Sequence, residues 1–328
     1  MTLKLLKNDA NGIRTALKSV TPTRVFILTV VTMTAFAGNS LLCRLALRQT
    51  SIDAASFTFT RMIAGAIVLW LIVEFRRRLM VDRTASPVVE RPPNLSPVTR
   101  QLSLPRAGNW PSALALFTYA AAFSFAYISL SAGTGALLLF GAVQATMIIW
   151  GLRQGEPLRA RQWVGLAFAL GGLVALLFPG LSAPPLGGSI LMLSAGIAWG
   201  IYSLRGQASG DPISETAGNF LRAVPLAAVL SVAFLHWASL DRAGIGFAVL
   251  SGAIASGVGY AIWYTALPGL RAASAATVQL SVPVLAAAGG ILFLGESITL
   301  RLLFASVAVL GGIALVVIEK RRAFAPVE

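Results

Sequence analysis

Long apolar runs are the feature of this sequence that most limits its fold. A helix crosses the hydrocarbon core of a bilayer with about 20 mostly apolar residues, and the chain contains ten runs of roughly that length. They lie at 25–42, 54–73, 111–130, 133–152, 163–178, 187–203, 217–237, 245–267, 272–294 and 300–318. The sequence therefore predicts an all-α polytopic membrane protein with ten transmembrane helices.

The composition excludes the main soluble classes. Only 12% of the 328 residues are charged and 56% are hydrophobic, whereas a soluble domain carries about 25% charged residues. The net charge of +14 does not indicate a nucleic-acid partner here, because basic residues of membrane proteins collect in cytoplasmic loops and meet anionic lipid. The single cysteine, Cys43, excludes an internal disulfide and a multi-cysteine metal site, and we expect no metal and no cofactor.

The distribution of basic residues predicts the orientation. An even number of spans places both termini on one side, and with the termini inside, 21 of the 26 Lys and Arg residues lie on the inner side. This is the positive-inside pattern of a protein in a bacterial-type inner (plasma) membrane with cytoplasmic termini. We expect cytoplasmic tails at 1–24 and 319–328, and a proline-rich, charged cytoplasmic linker at 76–109.

Two halves of the chain repeat the same landmarks. Gly155-Glu156 is followed, 16 residues after its glycine, by Gly171-Gly172 within an apolar run. Gly295-Glu296 is followed at the same distance by Gly311-Gly312, so that the offset between the halves is 140 residues. The chain therefore divides into five-helix units at 25–178 and 179–318.

Because five is odd, the second unit enters the membrane upside down relative to the first. Arg61 and Arg222, which lie 161 residues apart, both stand near the start of the second span of their unit. Inverted repeats of this kind are typical of secondary transporters and place a binding site near the bilayer midplane, between the halves.

Several of these landmarks resemble one family. Over about residues 25–318, the chain resembles the EamA-like branch of the drug/metabolite transporter superfamily. The resemblance rests on the Gly-Glu motif before a last helix with Gly-Gly, Arg61 in FTRMIAGAIVLWLI, the Ala-Trp-Gly of the sixth run and Pro283 in the ninth. The resemblance implies export of small metabolites by alternating access, with spans 1–4 and 6–9 around a cavity and spans 5 and 10 as braces. The proline expected in the fourth run is absent near Ala142-Val143, whereas Pro283 keeps a proline kink in the ninth.

Charged residues at the span ends are candidates for gating or for structural roles. Glu156 and Glu296 each precede the last helix of a unit, where a carboxylate is favoured by the helix dipole and can pair with Arg159 or Arg301. The alternative is a role in gating or coupling.

Three arginines also stand near span ends. Snorkelling to the interface is the default for Arg44, Arg61 and Arg222, although a substrate carboxylate would also bind a guanidinium at a cavity mouth. For Arg61 we favour a gating or structural role over direct ligand contact.

Polar and aromatic residues inside the spans are the candidates for a substrate site. An amide in hydrocarbon must face protein or a wet cavity, so Asn39, Gln144 and Gln279 either bind another helix or line a cavity. Aromatic side chains deep in spans three, six and eight favour a pocket for a partly apolar ligand. The predicted substrate site comprises Asn39, Tyr119, Gln144, Trp199, Tyr202, Trp263, Tyr264 and Gln279.

The function predicted is a secondary transporter, an exporter of small metabolites such as amino acids. A multidrug exporter of lipophilic cations is the alternative, but it usually needs a buried carboxylate, and all twelve acidic residues lie in predicted loops or span ends. A membrane-embedded enzyme needs a convergent catalytic set, and the chain has one histidine. A scaffolding role is a further alternative. The sequence is compatible with either a monomer or a homodimer.

Overall fold

A computed structural model describes residues 21–84, 107–155, 158–180, 183–206, 210–270, 275 and 278–323. These residues form helices and connecting turns and contain no strand. Eight of the helices are long and apolar enough to cross a membrane, and two further apolar helices are shorter. The prediction of an all-helical, multi-pass membrane protein is confirmed.

The helices are named here in chain order. They are α1 (Pro22–Gln49), α2 (Ala54–Thr84), α3 (Trp110–Ala126), α4 (Ala132–Arg153), α5 (Ala160–Leu177), α6 (Leu186–Gly206), α7 (Pro212–Ala233), α8 (Arg242–Gly269), α9 (Ser281–Leu294) and α10 (Leu300–Ala323). A separate short turn of 3-10 helix, Leu235–Trp237, follows α7.

Local sequence explains where the helices begin and end. Side chains at the N-cap accept a backbone N–H of the first turn at Asn109 before α3, Ser131 before α4 and Asp211 before α7, which satisfies donors that have no partner within the helix. Gly155 and Gly295 adopt positive φ of 82° and 62° directly after α4 and α9. The glycine of each Gly-Glu motif therefore stops a helix in the left-handed conformation that glycine adopts without steric cost.

Successive helices run in alternating directions between two ends of the bundle. At one end, which we call the terminal end, α1 begins and the ion pair of Arg76 with Asp211 joins the end of α2 to the start of α7. At the other, the opposite end, the ion pair of Arg44 with Glu296 joins the end of α1 to the turn between α9 and α10.

The main helix contacts keep their pattern when helix n is exchanged for helix n + 5. The pairs α5–α10, α2–α7 and α4–α9 map onto themselves, and α3–α6 maps onto α1–α8. Likewise α4–α6 maps onto α1–α9, and α2–α8 onto α3–α7. The two halves are thus interlocked, and each helix of α1–α4 packs against helices of the second half.

Helices α5 and α10 pack through their glycines. A Cβ built at Gly172 would lie 2.8 Å from the Cβ of Ala308 and 3.2 Å from the carbonyl oxygen of Ala305, and one built at Gly312 would strike the carbonyl oxygen of Gly165. The pairs Gly165–Gly312 and Ala305–Gly172 are related by the 140-residue offset of the sequence repeat.

One segment differs from the sequence prediction, and a second is shaped by a proline. Helix α2 continues to Thr84, so that 76–84, predicted as linker, is helical; pairs of Glu74 with Arg77 and Arg78 at helical spacing support this extension. The ninth run is interrupted just before Pro283, since residues 278–279 are helical and the helix resumes at Ser281. The chain turns at Leu280 and α9 begins at Ser281, because a proline inside a helix removes one hydrogen bond and clashes with the preceding turn.

Helix α8 contains a π-helical segment, Ser251–Val258. The small residues of this segment let α8 approach α2 closely, since a Cβ at Gly252 would collide with the backbone oxygen of Arg61, and one at Gly257 would lie 3.0 Å from Val68. π-segments are rare and are frequent at functional sites. This one lies beside the centre of the bundle.

Candidate functional site

A small cavity lies at the centre of the bundle, between helices of both halves. Its volume is about 20 Å³, which is room for about one water. Polar and aromatic side chains form the wall. The lining residues are Phe36, Asn39, Ser40, Tyr119, Phe123, Leu139, Phe140, Trp199, Ala255 and Tyr260. In this structure the cavity is nearly closed.

A hydrogen-bonded chain crosses the wall of the cavity. The Asn39 Nδ2 donates to the Tyr119 Oη (3.1 Å), and the Ser251 hydroxyl donates to the Asn39 Oδ1 (2.6 Å). The Arg61 Nη2 donates to the same Tyr119 Oη (3.0 Å) and lies 3.4 Å from the Ser256 Oγ. This hydrogen-bond network joins α1, α2, α3 and the π-segment of α8.

Arg61 lies in the core rather than at the interface. Its side chain is 0% exposed, and the guanidinium stands over the rings of Tyr119 and Phe123, with its carbon 5.2 and 5.0 Å from the ring centroids. The expectation that Arg61 snorkels from a span end is therefore wrong. The close approach of the glycine-rich π-segment to α2 covers the guanidinium from the side of α8.

Aromatic rings close the cavity toward the terminal end. Trp199 packs against Tyr119 and Tyr260, with ring centroids 4.8 and 5.2 Å apart. Phe36 meets the edges of Tyr260 (5.7 Å) and Trp263 (6.2 Å). Trp263 therefore supports the cavity through Phe36 but does not itself line it.

Tyr202 and Tyr264 belong to a second, more polar space. They line a cavity of about 20 Å³ at the terminal end, together with Arg205, Glu215 and Asn219. The Tyr202 hydroxyl lies 3.3 Å from the Oγ1 of Thr216. The predicted site residues are thus distributed over two levels of the bundle, with Trp199 between them, because its ring also packs against Tyr202 (5.4 Å).

A much larger vestibule opens at the terminal end. Its volume is about 740 Å³, and it lies between the start of α1, the end of α2, the start of α7 and the end of α8. Val258 and Ala261 line the vestibule, whereas Tyr260 lines the central cavity. Helix α8 is therefore the wall between the two spaces.

The opposite end is closed by Arg44 and Glu296. The Arg44 Nε lies 3.1 Å from the Glu296 Oε1, and the Arg48 Nη1 lies 4.0 Å from the same oxygen. The Glu296 Oε2 accepts the backbone N–H of Ala132 at the start of α4 (2.8 Å). The predicted pairing of Glu296 with Arg301 is wrong. The glutamate instead satisfies a free N–H at the start of α4, whereas Arg301 donates to a backbone carbonyl of the α5–α6 connection.

The remaining predicted residues lie apart from the central cavity. Gln144 is buried in α4, and its Nε2 has no hydrogen-bond partner among the described residues. Gln279 is half-buried just before the break that precedes α9. Arg222 donates to the backbone carbonyls of Ala107 and Gly218 at the terminal end. Glu156 lies outside the described residues.

The predicted substrate site omits several residues of the cavity wall. Phe36 and Ser40 flank Asn39 on one side of α1, and Phe123 follows Tyr119 by one helical turn. Tyr260 precedes Trp263 by three residues. Helical spacing around the predicted polar and aromatic residues was a signal that could have identified them.

Within the described ranges, no group of three or more His, Cys, Asp and Glu side chains lies close enough to hold a metal ion. What the site presents is hydroxyl, amide and aromatic groups around a small central space. A bundle of membrane-spanning helices with such a space between its halves is the architecture of a membrane transport protein.

Comparison with known proteins agrees with this class. Residues 186–318 match the model of the EamA-like transporter family. The uncharacterized protein PA1977 of Pseudomonas aeruginosa is 55% identical over 293 residues, which cover 89% of this chain and 94% of that protein. The uncharacterized transporter YwfM of Bacillus subtilis is 25% identical over 262 residues, 77% of this chain and 81% of its own.

Two further matches are a partial sequence relative and a structure of low sequence identity. The threonine/homoserine exporter RhtA of Escherichia coli K12 is 36% identical over 146 residues, 42% of this chain and 47% of the exporter. A solved crystal structure aligns over 92% of this chain and 100% of its own, with a TM-score of 0.58 and 15% identity, and so shares the fold. The chain belongs to the EamA-like transporter family of the drug/metabolite transporter superfamily.

Proposed function

We propose that this protein is a secondary transporter that exports small metabolites, amino acids among them, by alternating access through the central cavity. The observation that carries the proposal is the cavity itself. Its wall combines α1, α3 and α4 with α6 and α8, so that it lies between the halves. The ion pair of Arg44 with Glu296 closes one side, and the rings of Trp199 and Tyr260 close the other.

The proposed architecture is ten spans in two inverted five-helix repeats, at 25–178 and 179–318. The exchange of helix contacts between n and n + 5 supports this arrangement, as do the equivalent contacts Gly165–Gly312 and Ala305–Gly172. In such a fold, the halves rock against each other and expose the same site alternately to the two sides. Helices α5 and α10, which pack mainly on each other, are the braces.

We place the protein in a bacterial-type inner membrane with the terminal end in the cytoplasm. The excess of Lys and Arg near that end supports this orientation. The 740 Å³ vestibule then opens to the cytoplasm, where a metabolite to be exported enters. Its partners in this proposal are the small solute and the lipid bilayer, and the protein acts as a monomer or homodimer.

Amino acids are the proposed substrate class because of the wall chemistry and because the partial relative RhtA is a threonine/homoserine exporter. The alternative, export of lipophilic cations, is disfavoured by the charge at the site. Arg61 adjoins the cavity, and no carboxylate appears among the residues that line it.

Counterflow in proteoliposomes tests the proposal. Vesicles are preloaded with one unlabelled solute class at a time and offered the same solute as a radiolabelled tracer, without an ion gradient. We expect transient, saturable uptake with at least one amino acid. Trp199→Ala should lower initial uptake at subsaturating solute by about tenfold, because the indole packs against three tyrosine rings and each such pair contributes about 0.5–1.5 kcal/mol.

Trp237→Ala is the matched control, because Trp237 is 67% exposed and lies after α7, far from the cavity wall. Its uptake should equal that of the wild type. The proposal would be contradicted if no amino acid, nucleoside or sugar exchanged while a thermal unfolding transition showed that the protein was folded.

A further inference from the structure

The charge of Arg61 lacks a counter-charge in this structure. The guanidinium is fully buried, and none of the ion pairs among the described residues includes it. Its Nε and Nη1 also have no hydrogen-bond partner within the described ranges. Arginine stays protonated in proteins, and a buried charge is unfavourable unless an opposite charge accompanies it. An anionic group near this guanidinium would therefore be stabilised by its charge.

Tyr119 carries the effect of this charge to the cavity. Its hydroxyl accepts hydrogen bonds from the Arg61 Nη2 (3.0 Å) and from the Asn39 Nδ2 (3.1 Å). A phenolic oxygen has two acceptor sites and one proton. With both acceptor sites in use, the hydroxyl of Tyr119 acts as a donor, and the cation behind it strengthens that donor.

We infer that the central cavity takes the anionic group of the solute at its Tyr119 end, within one hydrogen bond of Arg61, so that the transported solute carries a carboxylate. This inference rests on the proposed transport function. The remainder of the solute then faces the rings of Phe36, Trp199 and Tyr260, which also line the cavity. Aromatic faces suit apolar groups and, through cation–π attraction, an ammonium group. A small amino acid matches both ends.

An analogue series in the wild-type protein tests the inference. The amino acid that exchanges in counterflow is compared, as an unlabelled competitor, with its carboxamide, with the amine that lacks the carboxylate and with its N-acetyl derivative. We expect the carboxamide and the amine to compete at least about tenfold more weakly than the parent amino acid. The N-acetyl derivative, which keeps the carboxylate, should show a smaller loss of competition. Equal competition by the carboxamide would overturn the inference.

The two proposals fail in different ways. If no solute exchanges, the transport function itself is wrong. If only solutes without a carboxylate exchange, transport stands and the anionic site is wrong.

Variants of Arg61 locate the preference. The measured quantity is the ratio of competition by the carboxylate to that by the carboxamide, which does not depend on how much active protein is present. Arg61→Gln should bring the ratio close to one, and Arg61→Lys should keep most of it. Arg222→Gln is the matched control, because Arg222 is the sequence counterpart of Arg61 but binds backbone carbonyls at the terminal end; its ratio should not change.

The Arg61→Gln ratio is informative only if that variant folds, so Tyr119→Phe provides a second test. This variant keeps the guanidinium and the aromatic packing but removes the hydroxyl, and the ratio should fall several-fold. A ratio that is unchanged in Tyr119→Phe and in the folded Arg61 variants would overturn the assignment of the carboxylate to this end of the cavity.

Discussion

The Nε of Arg44 lies 3.1 Å from the Oε1 of Glu296, although the two residues are 252 positions apart in the chain. The same guanidinium donates through Nη1 to the carbonyls of Tyr127 (2.8 Å) and Ile128 (2.9 Å). The two side chains are only 13% and 9% exposed, so the pair is shielded from solvent and salt. One ion pair thus ties α1, the α3–α4 turn and the α9–α10 turn together.

Loss of this tie should open the opposite end. We predict that Glu296→Gln raises the rate at which a polar maleimide labels Cys43 by at least about tenfold. Cys43 is 0% exposed in α1, next to Arg44, and a neutral amide leaves the partly buried guanidinium without its counter-charge. The chain has one cysteine, so labelling of the purified protein reports this thiol alone.

The control for this experiment is Asp241→Asn, which also removes one carboxylate at the opposite end. Asp241 accepts the N–H of Gly244 at the start of α8 and does not contact Arg44, so its labelling rate should match the wild type. Equal rates in Glu296→Gln and Asp241→Asn would mean that the ion pair does not hold this end shut.

Two adjacent glycines of α10 should respond differently to one methyl group. A Cβ at Gly312 would strike the backbone of α5 at Gly165 and Ala169, whereas a Cβ at Gly311 meets nothing within 4 Å. We predict that Gly312→Ala destabilises the protein by about 2 kcal/mol, the usual range for overpacking. Gly311→Ala should be neutral or stabilising, since alanine is the better helix former.

Thermal unfolding in detergent measures both glycine variants under the same conditions. The melting temperature of Gly312→Ala should fall by several degrees and that of Gly311→Ala should not. A similar fall in both would show that α5 and α10 do not pack through Gly312.

Asp53 should give the stability of the protein a dependence on pH. Burial opposes its charged form, but hydrogen bonds from Ser56, Ser239 and Ala55 outweigh burial and lower the pKa of the carboxyl. A lowered pKa in the folded state stabilises the protein above the unfolded value of about 3.9, and this contribution is lost as the pH falls through the folded value. Asp53→Ala should therefore lower the free energy of unfolding at pH 7 by about 1 kcal/mol, the usual cost of losing an N-cap, and lower the melting temperature with it.

The difference between the wild type and Asp53→Ala should shrink as the pH falls below about 4. Ser131→Ala is the control, because Ser131 caps α4 through a hydroxyl that does not titrate in this range. A difference for Asp53→Ala that is constant from pH 7 to pH 3.5 would contradict the linkage.

The parts of the fold that depend on local sequence were predictable. Apolar runs located the helices because spanning a bilayer needs a continuous apolar segment. Gly155 and Gly295 marked the ends of α4 and α9, because a helix stop in the left-handed conformation favours glycine. These features depend on a few neighbouring residues and on no distant contact.

The contacts of the site were not predictable in the same way. An arginine near a span end is expected to snorkel to the interface. Arg61 is buried instead because the π-segment of α8 and the rings of α3 cover it. Glu296 reads as a cap of its own helix, whereas its partners belong to α1 and α4. Such pairs are set by how distant helices meet, and no spacing in one helix encodes that.

Tyr260 should act as the barrier between the central cavity and the terminal vestibule. Its ring packs against Trp199 (5.2 Å), Phe36 (5.7 Å) and Phe220 (6.1 Å), so its removal joins the two spaces. We predict that Tyr260→Ala raises maleimide labelling of a cysteine introduced by Ser40→Cys, in a Cys43→Ser background, by about tenfold or more. Ser40 lines the cavity and is 1% exposed.

Tyr260→Phe separates the ring from the hydroxyl and should leave labelling at the level of the background, because the ring alone blocks the passage. Tyr264 also lines the vestibule, one turn nearer to the terminal end than Tyr260. Tyr264→Ala therefore enlarges the vestibule without removing the barrier, and it should also leave labelling low. If Tyr264→Ala raised labelling as much as Tyr260→Ala does, the barrier would lie at the vestibule and not at Tyr260. In the proposed export cycle, a solute that enters from the terminal end displaces this ring before it reaches Tyr119, so the position of the barrier decides which step opens the site.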